Sequence, residues 1–398
     1  MKKNILIINR IDYKNYLKNE LPIIDPLEHN VFIITKKEEA IQIPSEHYVE
    51  LYAINTSDDK RVIDIAQKIH NEHKIDKVVA LSERNLLTAA QIRDRLNVPG
   101  MRLNQALLFR NKLLMKEKLK KNDIKVPNYM YISNSEEVIS FFNQYKKIVI
   151  KPVYGMGSQN TYIIESLDEL QQTLKSLDCK TTSYEVEEFI DGEMYHCDSI
   201  VLNSEIKLVS VSKYVGSTLN YNGDHSLSSI MEDDSNRIKY IKDYNCKILD
   251  TLSFAEGVTH LELFVSKDGE ITFCEIAARP GGGGIIEGIE QIYNVNLMEA
   301  AIRIEVDGSA PEITSSEFLS GFIMFYSNGG FVSKISGIEQ FNKAWLPRFD
   351  INVKLNNFYN PASYSSDCIA SFTVIGRNRK EIRNRISWVK NRFKVIFE

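Results

Sequence analysis

Short apolar runs at residues 4–9 (NILIIN), 31–35 (VFIIT), 49–53 (VELYA) and 77–81 (KVVAL) alternate with charged stretches of helical spacing, such as 58–73 (DDKRVIDIAQKIHNEH). Runs of this length read as buried strands, and strands separated by helices build a parallel sheet with right-handed crossovers. Residues 1–103 are therefore expected to form a Rossmann-like α/β layer. A second unit begins near Arg102, where a helix is expected over 104–121, followed by Val126-Pro127 and a strand over 147–152. The pattern then turns to strands punctuated by Asp191-Gly192, Asn222-Gly223 and Asp268-Gly269. Gly308 precedes a Pro- and Ser-bearing linker, 309–316, then strands at 320–326 and 368–375 and a basic helix at 378–392. The expected class is α/β followed by α+β, in four units: 1–103, a small lobe 104–190, a large lobe 191–308 and a small β-rich unit 309–398.

At 398 residues, 43% hydrophobic and 26% charged, the chain can bury a large core. Its formal net charge of −4 comes with interspersed signs, so no basic face invites nucleic acid and small molecules are the expected partners. The run Ile5 to Ile8 is too short for a signal peptide and no later run has membrane-spanning length, so a cytoplasmic protein without a membrane partner is expected. Cys179, Cys197, Cys246, Cys274 and Cys368 show neither CxxC nor metal spacing, which favours reduced thiols. A homodimer is left open as the assembly.

Two segments carry chemistry. In IVIKPVYGMGSQNT a strand ends in Lys151 and runs into a loop with Gly155, Gly157 and Ser158. Glycines there let backbone N–H groups close over phosphate oxygens, and the lysine adds a point charge. The lysine precedes the glycines, so this is not a Walker A loop. The second segment is THLELFVSKDGEITFCEIAARPGGGG. Taking Asp268-Gly269 as a two-residue hairpin turn sets Lys267 against Glu270 and Glu262 across from Glu275. Carboxylates paired in this way lie roughly 5 Å apart and repel unless a cation or proton lies between them. Mg²⁺ suits such a pair facing a phosphate loop. Arg279 and the run Gly281 to Gly284 follow at once, a planar guanidinium beside glycines that permit close approach to a charged ligand.

The order of these motifs resembles the ATP-grasp superfamily, and within it the carboxylate–amine ligases such as bacterial L-amino acid ligases; biotin carboxylase is a more distant cousin. The resemblance extends over nearly the whole chain and includes the segment LSERNLLTAAQIRDRLNVPGMRLNQALLFRNKLLMKEKLKKNDIKVP. It implies a two-lobed ATP-grasp domain after the first unit, with ATP and Mg²⁺ as cofactors, the metal as two ions that Mn²⁺ could replace. It implies that Lys112 and Lys151 contact ATP phosphates and that Gly155 to Ser158 cover them. It implies that YEVEEFIDGEMY is the hinge on the nucleoside, with Glu187, Glu188 and Ile190 at the adenine, mainly through backbone groups, and Glu193 at the ribose. Glu262 and Glu275 would hold Mg²⁺, and Arg279 would meet the transferred phosphate or the acyl group. Two positions depart from the family's usual pattern: Asn111 stands where aspartate is usual, and Ala277 where a third metal ligand, asparagine, is common.

The activity implied is amide or peptide bond formation between a carboxylate and an amine, with amino acids as the expected substrates. A carboxylate does not react with an amine at neutral pH, and phosphorylation supplies the leaving group. The transfer needs in-line positioning and neutralisation of spreading charge, the task of Lys112, Lys151, Arg279 and the glutamate pair. Water would destroy the acyl phosphate, so a lid is needed, and loops 155–158 and 216–229 are the candidates. His260 lies opposite Ala277 by the hairpin count, His196 reads as a satisfied buried histidine, and Cys274 is expected to point away from the Glu275 face into the core. Two other readings remain: a bicarbonate-using carboxylase of the biotin carboxylase type, and a nucleotide-binding module without chemistry.

Overall fold

The computed structural model describes residues 2–216, 225–365 and 367–398. Strands Asn4–Ile8, Asn30–Thr35, Glu50–Ala53 and Lys77–Val79 form a parallel sheet in the order third, second, first, fourth. Leu6, Ile8, Phe32 and Ile34 pack against helices Asp59–His73 and Leu86–Leu96. On the other face Ile5, Ile7, Ile33 and Val79 meet Ile302 and Val306 of helix Leu297–Asp307. Burial on both faces explains why these runs show no polar alternation. The strand order reverses between the first and fourth strands, the place where such sheets bind ligands beyond their carboxyl ends. Glu83 stands just past the fourth strand.

The helix expected over 104–121 is two helices, Leu103–Leu107 and Lys112–Lys120. The break has a local cause, since the Asn111 side chain accepts from the N–H groups of Leu113 and Leu114 and restarts the helix. It also has a distant one: Arg110 turns inward to Glu83.

Next comes a four-stranded antiparallel sheet in the order Tyr129–Tyr131, Tyr184–Glu188, Ile148–Pro152, Tyr162–Ile164. Its Ile148, Ile150 and Val186 face helices Ser135–Tyr145 and Leu167–Ser176 through Val138, Phe142 and Leu170. Strand alternation sends Val149, Lys151, Glu185 and Glu187 to the opposite face.

An eight-stranded antiparallel sheet carries the rest, in the order Ile271–Ala277, Gly257–Val265, Glu193–Leu202, Glu205–Val215, Ser226–Met231, Leu319–Tyr326, Cys368–Gly376, Arg348–Ile351. Strands beyond residue 309 thus extend the large lobe's sheet, and only Gly330–Ile335, Phe358–Tyr359 and Val395–Phe397 form a small sheet apart. Of the expected lid 216–229, residues 226–229 lie within strand Ser226–Met231, and 217–224 lie outside the described residues. Among the described residues no helix is long and apolar enough to cross a membrane. All five cysteines are free.

Candidate active site

The four-stranded sheet and the hairpin Gly257–Ala277 face each other across a cavity of about 410 Å³. Lys112, Lys151, Gly155, Ser158, Glu187, Glu188, Ile190, Glu193, Glu262 and Glu275 all line it. Gly157 and Arg279 lie outside that lining. Gly157 turns toward the C-terminal region, where its carbonyl accepts from the Ser365 N–H at 3.2 Å. Both Gly157 and Ser158 are left-handed, with φ of +60° and +62°, and a Cβ at Gly157 would sit 2.8 Å from Ser365 Oγ.

The lysines are already paired. Lys112 sits at the first turn of its helix, with Nζ 2.8 Å from both Glu275 Oε2 and the Gly155 carbonyl. Lys151 Nζ lies 2.5 Å from Glu187 Oε1 and 3.9 Å from Glu185 Oε1. Lys116, fully buried behind them, bonds Glu185 Oε1 at 2.8 Å and also Glu187. Burial works against the Lys151 ammonium, but Glu187, Glu185 and Glu275 outweigh it and hold its pKa well above the ordinary value. Burial likewise raises the Glu275 carboxyl, yet Lys112, Lys151 and Arg279 bring it below its usual range.

Glu262 and Glu275 are cross-strand partners, and His260 faces Ala277, as the sequence count requires. The route to that register differs from the expected one. The turn is wider: Ser266 rather than Lys267 pairs with Glu270 (N to O, 3.0 Å), and Gly269, at φ +90°, donates to the Ser266 carbonyl. This shifts the outer pairs by one, so Leu263 meets Phe273, and a bulge at Cys274 restores the count at Glu262. The bulge also overturns the placing of Cys274. Two residues now stand against Glu262, and Cys274 lines the cavity beside Glu275 instead of pointing away.

Glu262 Oε1 accepts from Tyr214 Oη at 3.1 Å and lies 3.4 Å from His260 Nε2. His260 Nδ1 in turn meets Asp198 Oδ1 at 2.8 Å, and His196 Nδ1 meets Asp198 Oδ2 at 2.6 Å. Two carboxylates on one hairpin face, with hard oxygen donors toward a cavity that also holds two lysines, fit a Mg²⁺-type ion carrying phosphates. Ala277 supplies no donor.

Glu193 is paired with Lys213, while the Glu188 carboxylate turns outward to Asn128, accepting from its N at 2.8 Å and its Nδ2 at 3.0 Å. Val149, Ile163, Met194 and Phe264 give the cavity its apolar wall. Arg279 borders a separate cleft of about 240 Å³, where its Nε is 2.7 Å from Glu83 Oε2. Glu83 also binds Arg110, and although burial raises its carboxyl, the two arginines hold it below the ordinary range.

Sequence reasoning missed Lys116, Glu185, Glu83, Arg110 and Asp198. Glu185 was findable, because it alternates with Glu187 along one strand and so shares its face. Lys116 was findable as well, one helical turn after Lys112. Glu83 acts only through residues far away in the chain, and Asp198 reaches Glu262 only through His260, 62 residues on.

A family model described as ATP-grasp N-terminal domain matches residues 27–100, and one described as ATP-grasp domain matches residues 109–283. The chain is 27% identical over 328 residues to the L-arginine-specific L-amino acid ligase of Bacillus subtilis, covering 80% of this chain and 79% of that one. It is 24% identical over 280 residues to a formate-dependent phosphoribosylglycinamide formyltransferase of Prochlorococcus marinus, covering 66% of this chain and 67% of that one. The crystal structure of the L-amino acid ligase from Bacillus licheniformis shares the fold at a TM-score of 0.80 and 18% identity, over 100% and 99% of the two chains. The chain belongs to the ATP-grasp superfamily. It is an ATP-dependent ligase that forms carbon–nitrogen bonds, of the carboxylate–amine kind.

Proposed function

We propose that this ligase joins the carboxylate of one amino acid to the amine of another through an acyl phosphate, releasing ADP and phosphate. The observation that carries the reading is the meeting of Lys112, Lys151, Gly155 and Ser158 with the Glu262–Glu275 pair in one cavity. The amino-acid specificity is drawn from the Bacillus subtilis relative, whose name states it.

In this reading adenine rests on the apolar wall, met by backbone groups of Glu187, Glu188 and Ile190, and Glu193 takes the ribose hydroxyls. Lys112 and Lys151 exchange their carboxylate partners for phosphate oxygens, and the glycine loop covers them. Glu262 and Glu275 hold the divalent cation, Mg²⁺ or Mn²⁺. Bound there, it would neutralise charge on the terminal phosphates. An oxygen of the acid attacks the γ-phosphorus in line, the bridging P–O bond breaks, and ADP leaves. The amine then attacks the acyl carbon, loses its proton, and phosphate departs. Arg279, pinned by Glu83 at the neighbouring cleft, would meet the group transferred from outside the cavity's lining.

Screening amino-acid pairs for ADP release with mass detection of the product tests the substrate class. Replacing the amine by hydroxylamine should trap a hydroxamate. AMP and pyrophosphate as products would overturn the roles of Glu262, Glu275 and Arg279 together.

A further inference from the structure

A hydrogen-bonded chain of buried charged and polar groups runs behind the metal-facing carboxylate. Asp198, fully buried, places one oxygen against each of two histidines: Oδ1 to His260 Nδ1 at 2.8 Å and Oδ2 to His196 Nδ1 at 2.6 Å. His196 is anchored at its other nitrogen by Ser229 Oγ at 2.7 Å, and His260 turns its other nitrogen to Glu262 Oε1 at 3.4 Å. The strand register builds this chain, because Asp198 pairs with His260 and His196 with Glu262 on neighbouring strands. The donor atoms of His196, Asp198 and His260 lie within 4.8 Å of one another, and each Asp198 oxygen is bonded directly to a ring nitrogen.

We propose that Asp198 and His260 are positioning residues that hold Glu262 by its Oε1, so that its other oxygen is aimed at the cation. This rests on the reading that Glu262 and Glu275 bind a divalent ion. His260 stands across from Ala277, where the hairpin offers no ligand of its own, so the ring steadies the site from the opposite strand. Tyr214 bonds the same Glu262 oxygen at 3.1 Å, leaving Oε2 with no partner among the described residues. Gly281 supplies an independent sign that the chain is a built feature. A Cβ there would lie 2.7 Å from Asp198 Oδ1 and 2.9 Å from His260 Nδ1, so the first glycine of the run makes room for that bond.

Asp198→Asn is the sharpest probe. An amide offers one oxygen and one NH₂ group where the carboxylate offers two acceptors, so one of the two rings can no longer donate from Nδ1, with no change of size. The measurement is Mn²⁺ affinity in the presence of a saturating non-hydrolysable ATP analogue, beside the analogue's own affinity without metal. Asp198→Asn, His260→Gln and Gly281→Ala should each weaken Mn²⁺ by about 10- to 100-fold, the usual effect of losing an outer-shell partner. Metal-free analogue affinity should stay at the wild-type value, which a merely structural lesion would not allow. If Asp198→Asn does not fold, His260→Gln carries the test alone. Wild-type Mn²⁺ affinity in His260→Gln, or losses of metal and nucleotide affinity in equal proportion, would overturn the proposal while leaving the metal reading standing. Should the wild-type complex bind no Mn²⁺ beyond that of the analogue alone, the metal reading and this inference fail together.

Discussion

At the residue scale, the floor of the cavity is a problem in buried charge. Lys116, Lys151, Glu185 and Glu187 are each at most 6% exposed and pair in a closed square. Such groups contribute little net stability as a set, but removing one member strands its partners. Lys116→Met should therefore destabilise the fold by about 3–5 kcal/mol in urea unfolding, and the double variant Lys116→Met/Glu185→Met should recover most of that loss. No recovery would mean that packing, not charge, holds Lys116 in place. Glu262→Gln and Glu275→Gln should each lower the ligase rate by orders of magnitude, the first with the unfolding midpoint retained and the second with a lowered one, because Glu275→Gln leaves the buried Lys112 ammonium without its carboxylate. Full activity in both would remove the metal assignment. The alternating glutamates were legible from strand period and Lys116 from helix period, whereas their pairing required knowing that this helix lies against that sheet.

At the scale of elements, the hairpin shows how a correct contact can come from an incorrect path. The Glu262–Glu275 pair was legible because its register depends only on the total count around the turn. The wider turn and the bulge at Cys274 each displace that count by one residue, in opposite senses. Local propensity does not reveal a bulge, and with it went the correct facing of Cys274. The helix break at 108–111 is a second instance, since spacing favours a continuous helix and the long-range pull of Glu83 on Arg110 does not appear in the local pattern. Asn111 nevertheless leaves a measurable mark. Its side chain caps the helix that presents Lys112, so Asn111→Ala should cost about 1 kcal/mol, and Asn111→Asp should cost nothing. In steady-state kinetics the alanine variant should raise the KM for ATP, since an uncapped first turn no longer fixes Lys112. An unchanged KM would show that Gly155 and Glu275 alone hold the lysine in position.

Across the whole molecule, the N-terminal sheet is bound to the remainder in two ways, and neither was visible in sequence. The parallel sheet followed from the βαβ pattern, but the helix covering one face comes from residues 297–307, far along the chain. The second link is Glu83, which reaches from the end of the first sheet to Arg110 between helices Leu103–Leu107 and Lys112–Lys120 and to Arg279 after the metal hairpin. One carboxylate thus ties three segments that must stay in register while the reaction proceeds. Its pKa is depressed below 4.5, burial being outweighed by the two guanidinium groups. A depressed carboxylate contributes stability that is present above its unfolded value and is lost as pH falls through its folded value. Glu83→Gln, which leaves the buried Arg110 and the half-buried Arg279 without their carboxylate, should cost about 3–5 kcal/mol near neutral pH. The gap between the variant and the wild type should hold to about pH 4.5 and then close as acid protonates the wild-type carboxylate. Urea unfolding of both proteins across that range makes the comparison, with the unfolding slope checked for two-state behaviour. If the gap stayed constant into acid, Glu83 would be acting by shape, and the ion pairs it forms would not be what joins the first sheet to the catalytic lobes.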